Sequence, residues 1–242
     1  MLDELKTERW KGDADVYYFA HAFHEEPYNH VLEVGAHDEP IAYLLAQEHF
    51  FVTAVDLRRP EPPPQGCEVF SHLFRHIQGE FTRMNFPANY FRAVVSTSTI
   101  EHFGIGTYAT EGVEPEEYRN PYLDVIAMAK IWNILEPKGH AYITVPVGEW
   151  LDNTPHWRVY DRQALQHRII QNFKVLKRQY FVQGGQFRGK LSGTELTEEE
   201  AFSNKEGPHA TILLVMEKES DWHESKTFTL SKEEAKGEIW EI

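Results

Sequence analysis

His30-Val31-Leu32-Glu33-Val34-Gly35 and, a short interval later, Phe50-Phe51-Val52-Thr53-Ala54-Val55-Asp56 decide how this chain is read. Each run is short, rich in β-branched residues and closed by a glycine or an acid. That is the pattern of a strand covered on both faces of a parallel sheet. Between the runs, Ile41, Leu44, Leu45 and Phe50 recur at helical spacing, and Pro40 stands where a first helical turn tolerates proline. Strand, helix and strand form a βαβ unit.

Working outward, Phe91-Arg92-Ala93-Val94-Val95-Ser96 reads as a third strand, and His140-Ala141-Tyr142-Ile143-Thr144-Val145 as a fourth after a turn at Glu136-Pro137-Lys138-Gly139. Between them Leu123, Ile126, Ala127, Ala129, Lys130, Ile134 and Leu135 outline a helix with one apolar face. Residues 162–173 read as a helix, and 173–182 and 209–217 as the strands of a terminal hairpin. The expected fold is α/β: a Rossmann-like, mostly parallel, seven-stranded sheet with a terminal antiparallel hairpin. Residues 61–66 read as a rigid proline loop, 104–120 as a long insert after a core strand, and 184–207 as a mobile polar loop. One domain is expected over residues 1–242, with a cofactor-binding part over 28–148 and a substrate-side part with the hairpin over 149–242.

Composition narrows the partners. Asp and Glu number 38 against 24 Lys and Arg, a formal net charge of -14, and such a surface repels phosphate backbones. The nearest basic run, Lys174, Lys177 and Arg178, alternates with apolar residues as a strand does, so no nucleic-acid partner is expected. The chain shows no secretory leader and no apolar span, which leads to the expectation of a cytoplasmic protein without membrane contact. Cys67 is the sole cysteine, which rules out an intrachain disulfide and fits a reducing compartment. Composition leaves homodimer formation open.

Glu33, Gly35 and Ala36 lie at the carboxyl end of the first strand, where an open parallel sheet leaves a crevice for ligands. Asp56 and Leu57 end the second strand, where a carboxylate can accept both hydroxyls of a ribose. This wiring suits a nucleoside and by itself fits a nicotinamide dinucleotide too. The loop, however, lacks the G-x-G-x-x-G set that cradles a pyrophosphate, and Asp38 and Glu39 would repel one. Gly79-Glu80-Phe81 places an acid where an adenine amino group can be read, and Ser96-Thr97-Ser98-Thr99-Ile100-Glu101-His102 ends the next strand at the same crevice. Together these favour S-adenosylmethionine.

At Leu32-Glu33-Val34-Gly35, Asp56, Glu80, Glu101-His102 and Leu135-Glu136-Pro137-Lys138-Gly139, the chain resembles class I S-adenosylmethionine-dependent methyltransferases over residues 31–147. The stretch from Ser98 to Tyr108, with Val145-Pro146-Val147-Gly148, is similar to a methyltransferase-like family usually described as a domain of unknown function. The resemblance implies a Rossmann-like fold, S-adenosylmethionine as cofactor, Asp56 as ribose acid and Glu80 near adenine. Two departures stand out. His37 and Glu39 occupy places where that family has glycines, and Ser98 replaces the first acid of the Glu-x-x-Glu-His metal set known in ubiquinone-pathway O-methyltransferases. No metal is expected.

Methyl transfer from a sulfonium needs an aligned nucleophile, exclusion of water and often a base. His102 is the expected base with Glu101 as its orienting acid, and His156 is the alternative base. The competing reading makes Glu101 a dipole partner at a helix start. Tyr108, His156, Arg158 and Tyr160 are expected to contact a small polar substrate; the alternative is that Asp161 caps a helix with Trp157 and Tyr160 packed beneath it. Glu111, Glu114, Glu116 and Glu117 read as a solvated face. The expected activity is transfer of a methyl group to oxygen or nitrogen of a small, sugar-like or secondary metabolite. Its rival is a Rossmann-like adenosyl-ligand-binding or regulatory protein without efficient catalysis.

Overall fold

A computed structural model of the chain describes residues 30–36, 41–58, 72–105, 119–152, 156–183, 186–187, 190–191, 193–203 and 210–219. The first βαβ unit is present as expected. Strands β1 (His30–Val34) and β2 (Phe51–Asp56) pair in parallel with Val31 opposite Val52 and Val34 opposite Val55, and α1 (Ile41–Gln47) connects them. Strand β3 (Phe74–Gln78) adds in parallel beyond β2. The chain then crosses back, so that β4 (Phe91–Thr97) pairs with the other edge of β1. Helix α2 (Leu123–Ile134) leads into β5 (Leu135–Val147), parallel to β4.

Period-two alternation along β1 explains the layers. Val31 joins a cluster with Ile41, Leu45, Val52 and Val95 beside α1, while Leu32 and Val34 join Val94, Ile131, Ile134 and Ile143 beside α2. A strand buried on both sides cannot show polar alternation, which is why the central strands read as continuous apolar runs. Among the described residues no helix is long and apolar enough to cross a membrane.

Three features depart from the reading above. Glu136 to Gly139 do not precede the fourth strand but bulge within it: Phe91 faces Leu135 while Ala93 faces His140, and Lys138 takes φ 66° to make the excursion. Among the described residues the sheet has eight strands rather than seven. Its second half begins after α3 (Arg162–Ala164), which continues as a wider turn over Leu165–Ile170 into β6 (Phe173–Val182). The segment read as a mobile loop carries β7 (Gln186–Phe187), β8 (Lys190–Leu191), β9 (Glu195–Leu196) and α4 (Glu198–Phe202). β7 and β8 pair only with each other, and β9 is the extra edge strand, antiparallel to β6, with Leu196 buried opposite Tyr180. Its two residues are too short for a periodic signal, and the packed leucine decides their state.

The terminal pair is antiparallel as expected, with β10 (Ala210–Lys218) set between β5 and β6. At the far end of β10, away from the crevice, Lys218 is buried with its ammonium donating to Asn89 Oδ1 and the Leu135 carbonyl, each at 2.7 Å, and stacked 4.2 Å from the Trp132 ring centre. Burial pushes its pKa down to about 8.

Candidate active site

The order β3-β2-β1-β4-β5 reverses direction between β1 and β4, and the crevice beyond their carboxyl ends is where an open α/β sheet binds its ligand. Gly35 closes β1 with φ 88°, a conformation that favours glycine, and its N–H donates to the Val55 carbonyl at 2.8 Å. That bond hooks the chain over the tip of β2. The space beside its Cα belongs to the loop after β4: a Cβ at Gly35 would lie 2.7 Å from Thr99 Cβ, and closer to the Thr99 hydroxyl and methyl. Glycine is therefore demanded here by protein packing as well as by backbone angle. The Thr99 hydroxyl donates to the Thr97 carbonyl at 2.8 Å, and Ser98 takes φ 43° with its N–H on Thr144. Ser96, fully buried, donates to the Val34 carbonyl at 3.1 Å and so ties the tips of β1 and β4 together. Thr97 is buried, and its Oγ1 has no hydrogen-bond partner among the described residues.

Glu33 is 1% exposed on the α1 side of β1, and Ala36 follows the hook with its N–H 3.4 Å from the Val55 carbonyl. Asp56 stands at the tip of β2, where Oδ1 accepts from the Arg58 backbone N–H at 2.8 Å and from Arg58 Nε at 3.1 Å. A carboxylate has about four lone-pair sites, so room for two ribose hydroxyls remains if the guanidinium shares or yields its place. Leu57 is tied to β3 by Gln78 Nε2, which donates to its carbonyl at 3.1 Å. Glu80 caps the turn Phe81–Arg83, accepting from Thr82 N–H at 2.8 Å and Thr82 Oγ1 at 2.6 Å, with Arg83 Nε 3.3 Å away.

A residue that the sequence reading assigned only to a helix face holds this turn. Lys130 of α2 donates to the carbonyls of Phe81, Thr82 and Met84 and lies 5.1 Å from the buried Phe81 ring. Burial lowers its pKa, and Glu80 raises it in part. The only signal in the sequence was a lysine within an apolar stripe.

Glu101 and His102 sit on the turn Ile100–His102. Glu101 lies in the first turn of this short helix, as the dipole reading expected, but it is 2% exposed, Oε2 has no hydrogen-bond partner among the described residues, and burial pushes the carboxyl up to about 8. His102 Nδ1 donates to the His156 carbonyl, which fixes the neutral tautomer and leaves the lone pair on Nε2, 3.9 Å from Glu101 Oε1. Burial holds its pKa below that of an ordinary imidazole. The carbonyl contact opposes that shift, and the charges of Arg58, Arg158 and His156 reinforce it.

The substrate-side expectation needs correction. His156 is exposed, but Arg158 and Tyr160 are 1% and 0% exposed and are engaged within the protein. Arg158 Nε donates to Asp152 at 2.6 Å and its Nη1 to the Phe103 carbonyl. The Tyr160 hydroxyl donates to Asp124 Oδ2 at 3.0 Å, where Arg168 also pairs with Asp124 at 2.7 Å. Asp161 accepts from Ala164 N–H at 2.7 Å, so the capping alternative describes this stretch. Tyr108 and Glu111 to Glu117 lie outside the described residues, as do His37 and Glu39. Among the described residues no group of three or more His, Cys, Asp or Glu side chains could hold a metal ion.

The sequence matches no protein-family model and no curated protein. Solved structures do share its architecture. The [4+2]-cyclase SpnF superposes with a TM-score of 0.58 at 14% identity, over 89% of this chain and 86% of its own. A Methanosarcina mazei S-adenosylmethionine-dependent methyltransferase gives 0.54 at 9% identity, over 84% and 98%. The Burkholderia thailandensis 1,6-didemethyltoxoflavin-N1-methyltransferase, solved with 1,6-didemethyltoxoflavin and S-adenosylhomocysteine, gives 0.53 at 16% identity, over 86% and 78%. Strand order and these likenesses agree: the chain has the fold of class I S-adenosylmethionine-dependent methyltransferases.

Proposed function

We propose that this chain binds S-adenosylmethionine across the carboxyl ends of β1, β2 and β4 and transfers its methyl group to an oxygen or nitrogen of a small polar acceptor. The observation that carries the reading is the placement of the Asp56 carboxylate at the tip of β2, beside the Gly35 hook at the strand-order reversal. Asp56 would hold the ribose and Glu80 the adenine edge, with Glu33, Ala36, Leu57, Phe81, Ser96 and Thr97 shaping the crevice. When bound, the cofactor supplies an electrophilic methyl on a sulfonium. His102 takes the proton that the nucleophile loses as its carbon–oxygen or carbon–nitrogen bond forms and the carbon–sulfur bond breaks. Products are S-adenosylhomocysteine and the methylated acceptor.

His102 suits this role because its lone pair is fixed on Nε2 and its lowered pKa keeps it neutral at pH 7. Glu101, protonated at that pH, adds no competing charge until an imidazolium forms. The acidic composition supports a small-molecule acceptor, and Ser98 in place of an acid supports metal independence.

A second reading, an adenosyl-ligand-binding or regulatory protein without efficient catalysis, is favoured by Arg58 on Asp56 and by Thr99 against Gly35, which crowd the crevice. The experiment is calorimetry with S-adenosylmethionine and S-adenosylhomocysteine, followed by labelled-methyl transfer onto a metabolite extract. Binding with transfer supports the enzyme, binding without transfer supports the second reading, and no binding overturns both.

A further inference from the structure

The segment that follows β5 does more than run past the Glu101–His102 turn. Arg158 N–H donates to the Glu101 carbonyl at 3.1 Å, its Nη1 donates to the Phe103 carbonyl, and the His156 carbonyl accepts from His102 Nδ1. Three successive residues, Glu101 and His102 of the turn and Phe103 just after it, are thus held by one short stretch. The guanidinium itself is 1% exposed, a costly burial for a cation unless the charge is paired. Asp152 pairs it at 2.6 Å and is itself partly open to solvent. The rigid fork reaches Asp152 through Nε and the Phe103 carbonyl through Nη1, two donor positions fixed relative to each other that a lysine's single rotating nitrogen does not reproduce.

We propose that Arg158 is a positioning residue: it straps residues 156–160 onto the Ile100–His102 turn and thereby sets which nitrogen of His102 faces the reaction, and where. The proposal deepens the assignment of His102 as base and rests on it. The charged and titratable groups around His102 are Glu101 on its own turn, Arg58 after β2, and His156 and Arg158 on the strap, with Asp152 behind Arg158.

The test follows the His102 imidazole by NMR titration, assigned by the resonance that vanishes in His102→Gln. In Arg158→Met the nearby cation is gone, so the His102 midpoint rises. Arg158→Lys restores the low midpoint, yet methyl transfer still falls by about tenfold or more at unchanged affinity for the adenosyl ligand, because the fork is lost. Should Arg158→Met fail to fold, Asp152→Asn leaves the cation uncompensated and lowers the midpoint instead. An unmoved midpoint in the folded variants, or full transfer activity in Arg158→Lys, overturns the proposal. A wild-type protein that transfers no methyl to any acceptor while the midpoints move as stated removes the proposed function and leaves the strap in place.

Discussion

Replacing Glu101 by glutamine should change how stability depends on pH more than any other single substitution in the crevice. The carboxyl is enclosed, and its pKa lies at about 8 against an ordinary 4.5. Below pH 4.5 both the folded and unfolded chains hold the proton, and the group contributes no slope. Between 4.5 and about 8 the unfolded chain has released it and the folded chain has not, so raising the pH favours unfolding. At about 1.4 kcal/mol per pH unit the loss accumulates to roughly 5 kcal/mol by pH 9, and the curve then flattens. Glutamine keeps the shape and cannot ionise, so Glu101→Gln loses none of this. Urea unfolding of both proteins at pH 5, 7 and 9 measures it, with His102 present in both so that its opposite slope cancels. The wild type should lose ground to the variant steadily across that range. Parallel curves for the two proteins would show that the carboxyl reaches solvent or a cation, and the reasoning from burial would be wrong.

Other expectations follow from the same geometry. Gly35→Ala should cost about 1 to 3 kcal/mol through its positive φ, with the Thr99 overlap added, and Gly35→Ala/Thr99→Ala should recover only the overlap; thermal unfolding separates the two. Tyr160→Phe should lose about 1 to 3 kcal/mol by stripping a donor from buried Asp124 while leaving acceptor KM unchanged; a raised KM would return Tyr160 to the substrate. Asp56→Ala should weaken S-adenosylhomocysteine binding by about 2 to 4 kcal/mol in calorimetry, and unchanged affinity would mean the ribose is held elsewhere.

Local chemistry was enough to place β1, α1, β2, β4, α2 and the antiparallel pair, because buried strands and an amphipathic helix carry their period in consecutive residues. Gly35 and Asp56 at the strand tips, and the Asp161 cap, were legible for the same reason: each is set by the residues next to it. What the sequence left open depended on neighbours far away along the chain. Leu196 becomes a strand residue only because β6 offers it an edge, and Lys130 becomes a clamp only because three carbonyls of a distant turn converge on it. Arg158 and Tyr160 looked like substrate contacts because polar side chains near a strand end usually face solvent. The fold instead gave them Asp152, the Phe103 carbonyl and Asp124, and a buried polar group goes where its hydrogen bonds are satisfied. Periodicity is a property of adjacent residues, whereas the burial that raises the Glu101 pKa and the carbonyl that chooses the His102 tautomer come from segments brought together only by tertiary packing.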